Sequence, residues 1–129
     1  MVADGDGGRA KGGGIGAPFA SMRGVLGEGV GLVQLEGEVD LATAPAFKAD
    51  IEQLLADGYV NVVVDLTRVT FIDSTALGVL IGSVRRLRER DGRLVLVASG
   101  FPVMRPLTLT GLDRVFTIVA TREEAAEQF

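Results

Sequence analysis

Cysteine, histidine and tryptophan are missing from this chain, and among its 129 residues there are only two lysines. Without cysteine there is no disulfide framework, no thiol nucleophile and no thiolate metal site. The lack of histidine removes the commonest general base and the commonest transition-metal ligand. A serine triad therefore cannot be assembled. Lysine, the other usual activator of a serine, is confined to Lys11 in a glycine-rich segment and Lys48 on the outer part of an expected helix. Long apolar runs are absent too. No stretch approaches the roughly 18 residues that a membrane span requires, and the first twenty residues lack the apolar centre of a signal peptide. A net charge of −4 gives no reason to expect nucleic acid, which needs a clustered basic face. These absences lead us to expect a cytoplasmic protein that is not an enzyme, carries no cofactor or metal, and engages neither nucleic acid nor membrane.

What is present suits one folded domain. The chain is 47% hydrophobic and 23% charged, a globular rather than a disordered composition. Residues 1–21, "MVADGDGGRAKGGGIGAPFAS", hold many of the glycines and almost no large apolar side chains, so they read as a disordered tail. A phosphate-cradling loop would need Ser or Thr after its lysine, and Lys11 is followed by glycine. The folded domain is then expected over 22–129.

Within it, strands and helices alternate. "MRGVLGEG" (22–29) turns into "GVGLVQLEGEV" (29–39), where Val33, Leu35 and Val39 alternate with Gln34, Glu36 and Glu38. A helix follows over 40–58, with Thr43 as N-cap, Pro45 in its first turn, Phe47, Ile51, Leu54 and Leu55 on one face, and Gly58 as its stop. "YVNVVVDL" (59–66) reads as a central strand buried on both faces. Further strands are expected over 93–98 and 114–119. A short helix is expected over 101–111, and a last one over 121–129, capped by Thr121 with Glu124 three residues on. The pattern predicts an α/β fold whose mixed, mostly parallel sheet has about five strands and about four helices.

The chemistry concentrates in "VTFIDSTALGVLIG" (69–82), where Asp73-Ser74-Thr75 separates two apolar segments. Leu77, Leu80, Ile81, Val84 and Leu87 define the inward face of the helix beyond it. Gly78 and Gly82 each cost a helix about 1 kcal/mol relative to alanine. Two explanations stand for them: close packing against this chain's own elements, or a flat surface on which another protein docks. Capping accounts for at least one of the three polar residues. A hydrolase built from Asp40, Asp65 and Asp73 has no spacing to demand it. A phosphorylated hydroxyl would add a charge of about −1.5 to −2 beside Asp73, tolerated at a helix start but repellent to a docked partner.

"GEVDLATAPAFKADI", "VVVDLTRVTFIDSTALGVLIG" and "GLDRVF" together resemble the anti-sigma factor antagonists, single-domain members of the STAS family, over about residues 22–129. The resemblance implies a STAS-like fold and a partner-switching regulator. In that family the unphosphorylated antagonist binds an anti-sigma factor that is also a serine kinase of the ATP-binding type, and so frees a sigma factor. Phosphorylation ends the binding and a serine phosphatase restores it. Carried over, the phosphoacceptor is Ser74, flanked by Asp73 and Thr75, and Asp40 belongs to the upstream loop near the phosphosite. With Ala76, Gly78, Val79 and Gly82 on the helix beyond, these residues form the expected partner surface. Ala76 departs from the family, which more often has glycine there, and the glycine-rich extension is longer than a minimal member needs. The alternative is a STAS-type scaffold or ligand-sensing module with no link to a sigma factor.

Overall fold

A computed structural model describes residues 18–129. The expected tail, and Lys11 with its glycines, lie outside the described residues except for its last four positions. Of these, Ala20 and Ser21 already belong to the first strand, β1 (Ala20–Gly27), so the folded part starts before residue 22. β1 turns back at Glu28-Gly29 and pairs antiparallel with β2 (Val30–Val39). Three strand-helix-strand units follow: α1 (Ala44–Ala56) leads to β3 (Asn61–Ile72), α2 (Ser74–Arg88) to β4 (Arg93–Val97), and α3 (Phe101–Leu109) to β5 (Thr117–Val119). A short helix, α4 (Arg122–Ala126), ends the domain.

The sheet runs β1-β2-β3-β4-β5 with β2 to β5 all parallel, the mixed, mostly parallel α/β arrangement expected. Successive strands in sequence are neighbours in space. Right-handed crossovers that step always in one direction place every crossover helix on one face of the sheet. That face holds the main core: Val33, Leu35, Val62, Val64, Leu94 and Leu96 point at Phe47 and Ile51 of α1, Leu80 and Leu87 of α2, and Val103 and Leu107 of α3. The alternate residues Leu32, Val63, Val95 and Val97 point the other way, where Ala125 of α4 covers them. β3 is buried on both sides over Val62–Leu66, which is why its sequence is apolar without alternation.

Local details depart from expectation in several places: α1 is shorter than 40–58, α3 ends at Leu109, and β3 runs on past Leu66 to Ile72. Thr43 holds the N-cap position of α1, but its hydroxyl does not cap the helix. Asp40 Oδ1 instead accepts the amides of Ala42 and Thr43 at 3.0 and 3.1 Å, while Thr43 Oγ1 accepts the Asp40 amide and donates to the Glu38 carbonyl. The expected strand over 114–119 shrinks to 117–119, because Leu112–Arg114 closes a 3-10 turn whose Leu112 carbonyl accepts the Val115 and Phe116 amides. The last helix stops at Ala126, although its Thr121–Glu124 capping box forms as expected.

Gly58 and Gly92 are among the glycines that the backbone requires. Gly58 ends α1 at φ 97°, a region L side chains avoid. A Cβ on Gly92 would lie 1.9 Å from the Val60 carbonyl oxygen, so only glycine lets β4 enter the sheet there.

Candidate functional site: the Asp73-Ser74 rim

The site is built by register. β2 and β3 are parallel and Val39 pairs with Ile72, so the residues after them, Asp40 and Asp73, emerge side by side at the carboxyl rim. The Asp73 amide donates to the Val39 carbonyl at 3.2 Å. Asp73 is the N-cap of α2: its backbone is extended, and Oδ1 accepts the Ala76 amide at 3.0 Å. Its second oxygen is used as well. Oδ2 accepts the Leu41 amide at 3.0 Å, tying the loop before α1 to the start of α2 across 32 residues of sequence. Asp40 folds that same loop from its other end, so the two aspartates brace one rim.

This division of labour leaves Ser74 uncommitted. It is the first residue of α2 and is exposed, and among the described residues its hydroxyl makes no hydrogen bond. Capping, one reading of the polar cluster, belongs to Asp73 alone. Thr75 is half-buried beside Ser74. Ala76 is the correction to the expected partner surface. Its side chain is 0% exposed and belongs to the core, so its methyl is unavailable to any partner and instead fills space that glycine would leave empty.

Beyond Thr75, the outer side of α2 meets α1 across an open groove of about 380 Å³. Lys48 and Glu52 stand on one wall, and Thr75, Gly78, Val79 and Gly82 on the other. A Cβ built on Gly78 or on Gly82 meets no heavy atom within 4 Å. Close packing against another described element therefore does not explain these glycines, and without side chains they keep this surface low.

Close to Ser74 and Asp73 along the chain and the rim, two exposed apolar side chains escaped the sequence reading. Leu41 is 74% exposed on the loop that Asp73 holds, and Phe71 is 47% exposed, three residues before Ser74. An apolar residue at the end of a strand or in a loop carries no periodic signal, so only the structure shows that these are outward.

The three aspartates of the conceivable hydrolase do not converge. Asp65 lies in the middle of β3, opposite Gln34, with its side chain on the α4 face. It is 4% exposed and accepts from Arg122 Nε at 2.6 Å and from the Thr67 amide and hydroxyl at 2.9 and 2.8 Å. Arg122 also donates to Gln34 Oε1 at 2.5 Å. Burial by itself would raise the Asp65 pKa. The Thr67 amide, the Arg122 and Thr67 side chains and the Arg122 charge outweigh it, holding the carboxyl below its ordinary value. This cluster pins α4 to the sheet and shares no group with the Ser74 rim.

The chain as a whole is similar to known proteins of one family. The family model of the STAS domain matches residues 26–125. The anti-sigma-F factor antagonist RsfB of Mycobacterium tuberculosis is 33% identical over 97 residues, 75% of this chain and 79% of its own length. The anti-sigma-B factor antagonist of Listeria monocytogenes is 37% identical over 82 residues, 64% of this chain and 72% of its own. Among solved structures, an anti-sigma factor antagonist from Mycobacterium paratuberculosis superposes with a TM-score of 0.79 at 33% identity, covering 88% of this chain and 97% of that one.

Proposed function

The chain belongs to the STAS domain family, and from that premise we propose that it is a cytoplasmic anti-sigma factor antagonist switched by phosphorylation of Ser74. Its unmodified form binds an anti-sigma factor that is itself an ATP-binding serine kinase, and a sigma factor is released. The kinase transfers phosphate to Ser74, the complex dissociates, and a serine phosphatase returns the protein to its binding form.

One observation carries this reading: Ser74 is exposed and its hydroxyl bonds to no other described residue, while the neighbouring Asp73 caps the helix. A serine needed for the fold would be tied into it. Phosphate at the first position of a 15-residue helix meets unpaired amides and the positive end of the helix dipole, so the fold tolerates it. Beside Asp73 it concentrates negative charge at the rim, where it opposes a partner surface built for a neutral hydroxyl. Leu41, Phe71 and the low face at Gly78, Val79 and Gly82 supply apolar and close-approach contacts around it. Asp40 and Asp73 hold the rim in shape, and Thr75 lies at the edge of the contact.

The test is association with the cognate anti-sigma factor, with phosphosite mapping after addition of ATP. Wild-type protein binds and is modified at Ser74; Ser74→Ala binds and stays unmodified; Ser74→Glu loses binding by a factor of about 100 or more, equivalent to roughly 2.7 kcal/mol. Modification elsewhere, or equal binding by Ser74→Glu, rejects the proposal.

A further inference from the structure

The outward band of α2 does not end at the glycines. Ser74, Gly78, Ile81, Arg85 and Arg88 follow one another at helical spacings of four, three, four and three, which keeps them on one face. Ser74, Gly78, Arg85 and Arg88 are exposed and Ile81 is half-buried. At the far end of this band lies a second open groove of about 370 Å³, lined by Ile81, Val84, Arg85, Arg88, Glu89 and Val115. Its floor is apolar, and Val115, in the connection before β5, is 42% exposed there.

Charge gives the groove a sign. The segment Arg85–Arg90 carries four arginines and one glutamate, in a chain whose net charge is −4. Arg86 turns to Glu52 of α1, and Arg90 donates to the Leu55 carbonyl. Arg85 and Arg88 line the groove, and neither forms a salt bridge to another described residue. Cations in a last turn favour the helix dipole, which explains why arginine is welcome there. The dipole does not explain an exposed apolar floor between two of them.

Resting on the antagonist reading above, we propose that the docked anti-sigma factor extends along α2 to this groove and meets it with an acidic surface, an apolar side chain seated over Ile81 and Val115 with carboxylates facing Arg85 and Arg88. Continuity with the Ser74 rim along one helix face and the excess of positive charge select this occupant. Arg85 and Arg88 lie roughly 17 and 21 Å along the helix from Ser74 at 1.5 Å per residue. That exceeds the screening length of about 8 Å at physiological salt, so the two contacts act separately: Ser74 switches the complex and the arginines steer its formation.

The experiment measures association rates of the full chain with the cognate anti-sigma factor at several salt concentrations. The Arg85→Glu/Arg88→Glu variant associates about tenfold more slowly at low salt, and the deficit shrinks as salt rises. Arg85→Lys/Arg88→Lys keeps most of the rate, and thermal melts verify that each variant is folded. Val115→Ser raises the dissociation rate a few-fold without altering the salt slope. Ser74→Glu abolishes binding whether or not the arginines are present. An unchanged rate and salt slope in the double glutamate variant, with Ser74→Glu still inactive, overturns the acidic-partner inference and leaves the antagonist reading standing. Wild-type binding by Ser74→Glu overturns the antagonist reading and this one with it. Arginine-dependent self-association in sedimentation would show a second copy of the chain in the groove, and overturn the assignment of occupant.

Discussion

Two aspartate-centred clusters, one within β3 and one just past its end, are built for different ends. Asp65, in the middle of the strand, is buried, paired with Arg122 and further held by Thr67, so all of its polar capacity is turned inward. Asp73, just past the end of the strand, spends both carboxylate oxygens on backbone amides, and the adjacent hydroxyl of Ser74 is exposed with no hydrogen bond among the described residues. The first cluster closes a small helix onto the sheet; the second shapes a rim and offers one modifiable group. A perturbed carboxyl is thus no guide to function here. Among the described residues the carboxyl with a shifted pKa is structural, and the candidate switch is a neutral hydroxyl beside an aspartate occupied with capping.

The sharpest way to break the contrast is Arg122→Ala. It leaves the Asp65 carboxylate buried with only Thr67 as partner, at a cost of about 2–4 kcal/mol. Urea unfolding should show this loss, while the proposed phosphorylation of Ser74 in the folded protein should be unaffected. Because the Asp65 pKa is lowered in the fold, its contribution is complete above the unfolded value of about 3.9 and is lost as pH falls through the lower folded value. Arg122→Ala should accordingly flatten the acid limb of the stability curve. An unchanged limb would remove Asp65 from the account.

Asp73→Ala comes next. It removes the cap of α2 and the bond to the Leu41 amide, for about 1–2 kcal/mol by thermal denaturation. Unlike Arg122→Ala, it should also weaken partner association, because the loop carrying Leu41 is released. If both variants impaired association equally, the two clusters would not be separate. The smallest effect is expected for Gly78→Ala, which has room for its methyl and gains up to about 1 kcal/mol of stability. Partner affinity should fall at the same time. A stabilised protein that binds undiminished would mean that the low face is not a docking face.

Much of this molecule could be read along the chain. The inward face of α1, that of α2 apart from the half-buried Ile81, the apolar run of β3 and the Thr121–Glu124 capping box depend on residues within a few positions of one another, and each was legible. Asp73-Ser74-Thr75 was visible as a cluster for the same reason. Arg122 and its partners were not: Asp65 is 57 residues away and Gln34 is 88, and no local pattern announces a bond across such a distance. Thr43 misled because its hydroxyl had a nearer claim, from the Asp40 amide and the Glu38 carbonyl, created by the sharp exit from β2.

Composition and spacing, then, determined by themselves the alternation of strand and helix, the exclusion of a histidine or cysteine chemistry, and the place of the polar cluster at the start of a helix. The three-dimensional arrangement decided what each member of that cluster does. Parallel pairing of Val39 with Ile72 brought Asp40 and Asp73 to one rim, which let Asp73 take the cap and left Ser74 free. Burial drew Ala76 into the core, and no described residue comes close enough to Gly78 or Gly82 to require a glycine there. Side-chain type and spacing set what a residue can do, but exposure and hydrogen-bond partners depend on segments far apart in the chain, and those meet only when the sheet has formed.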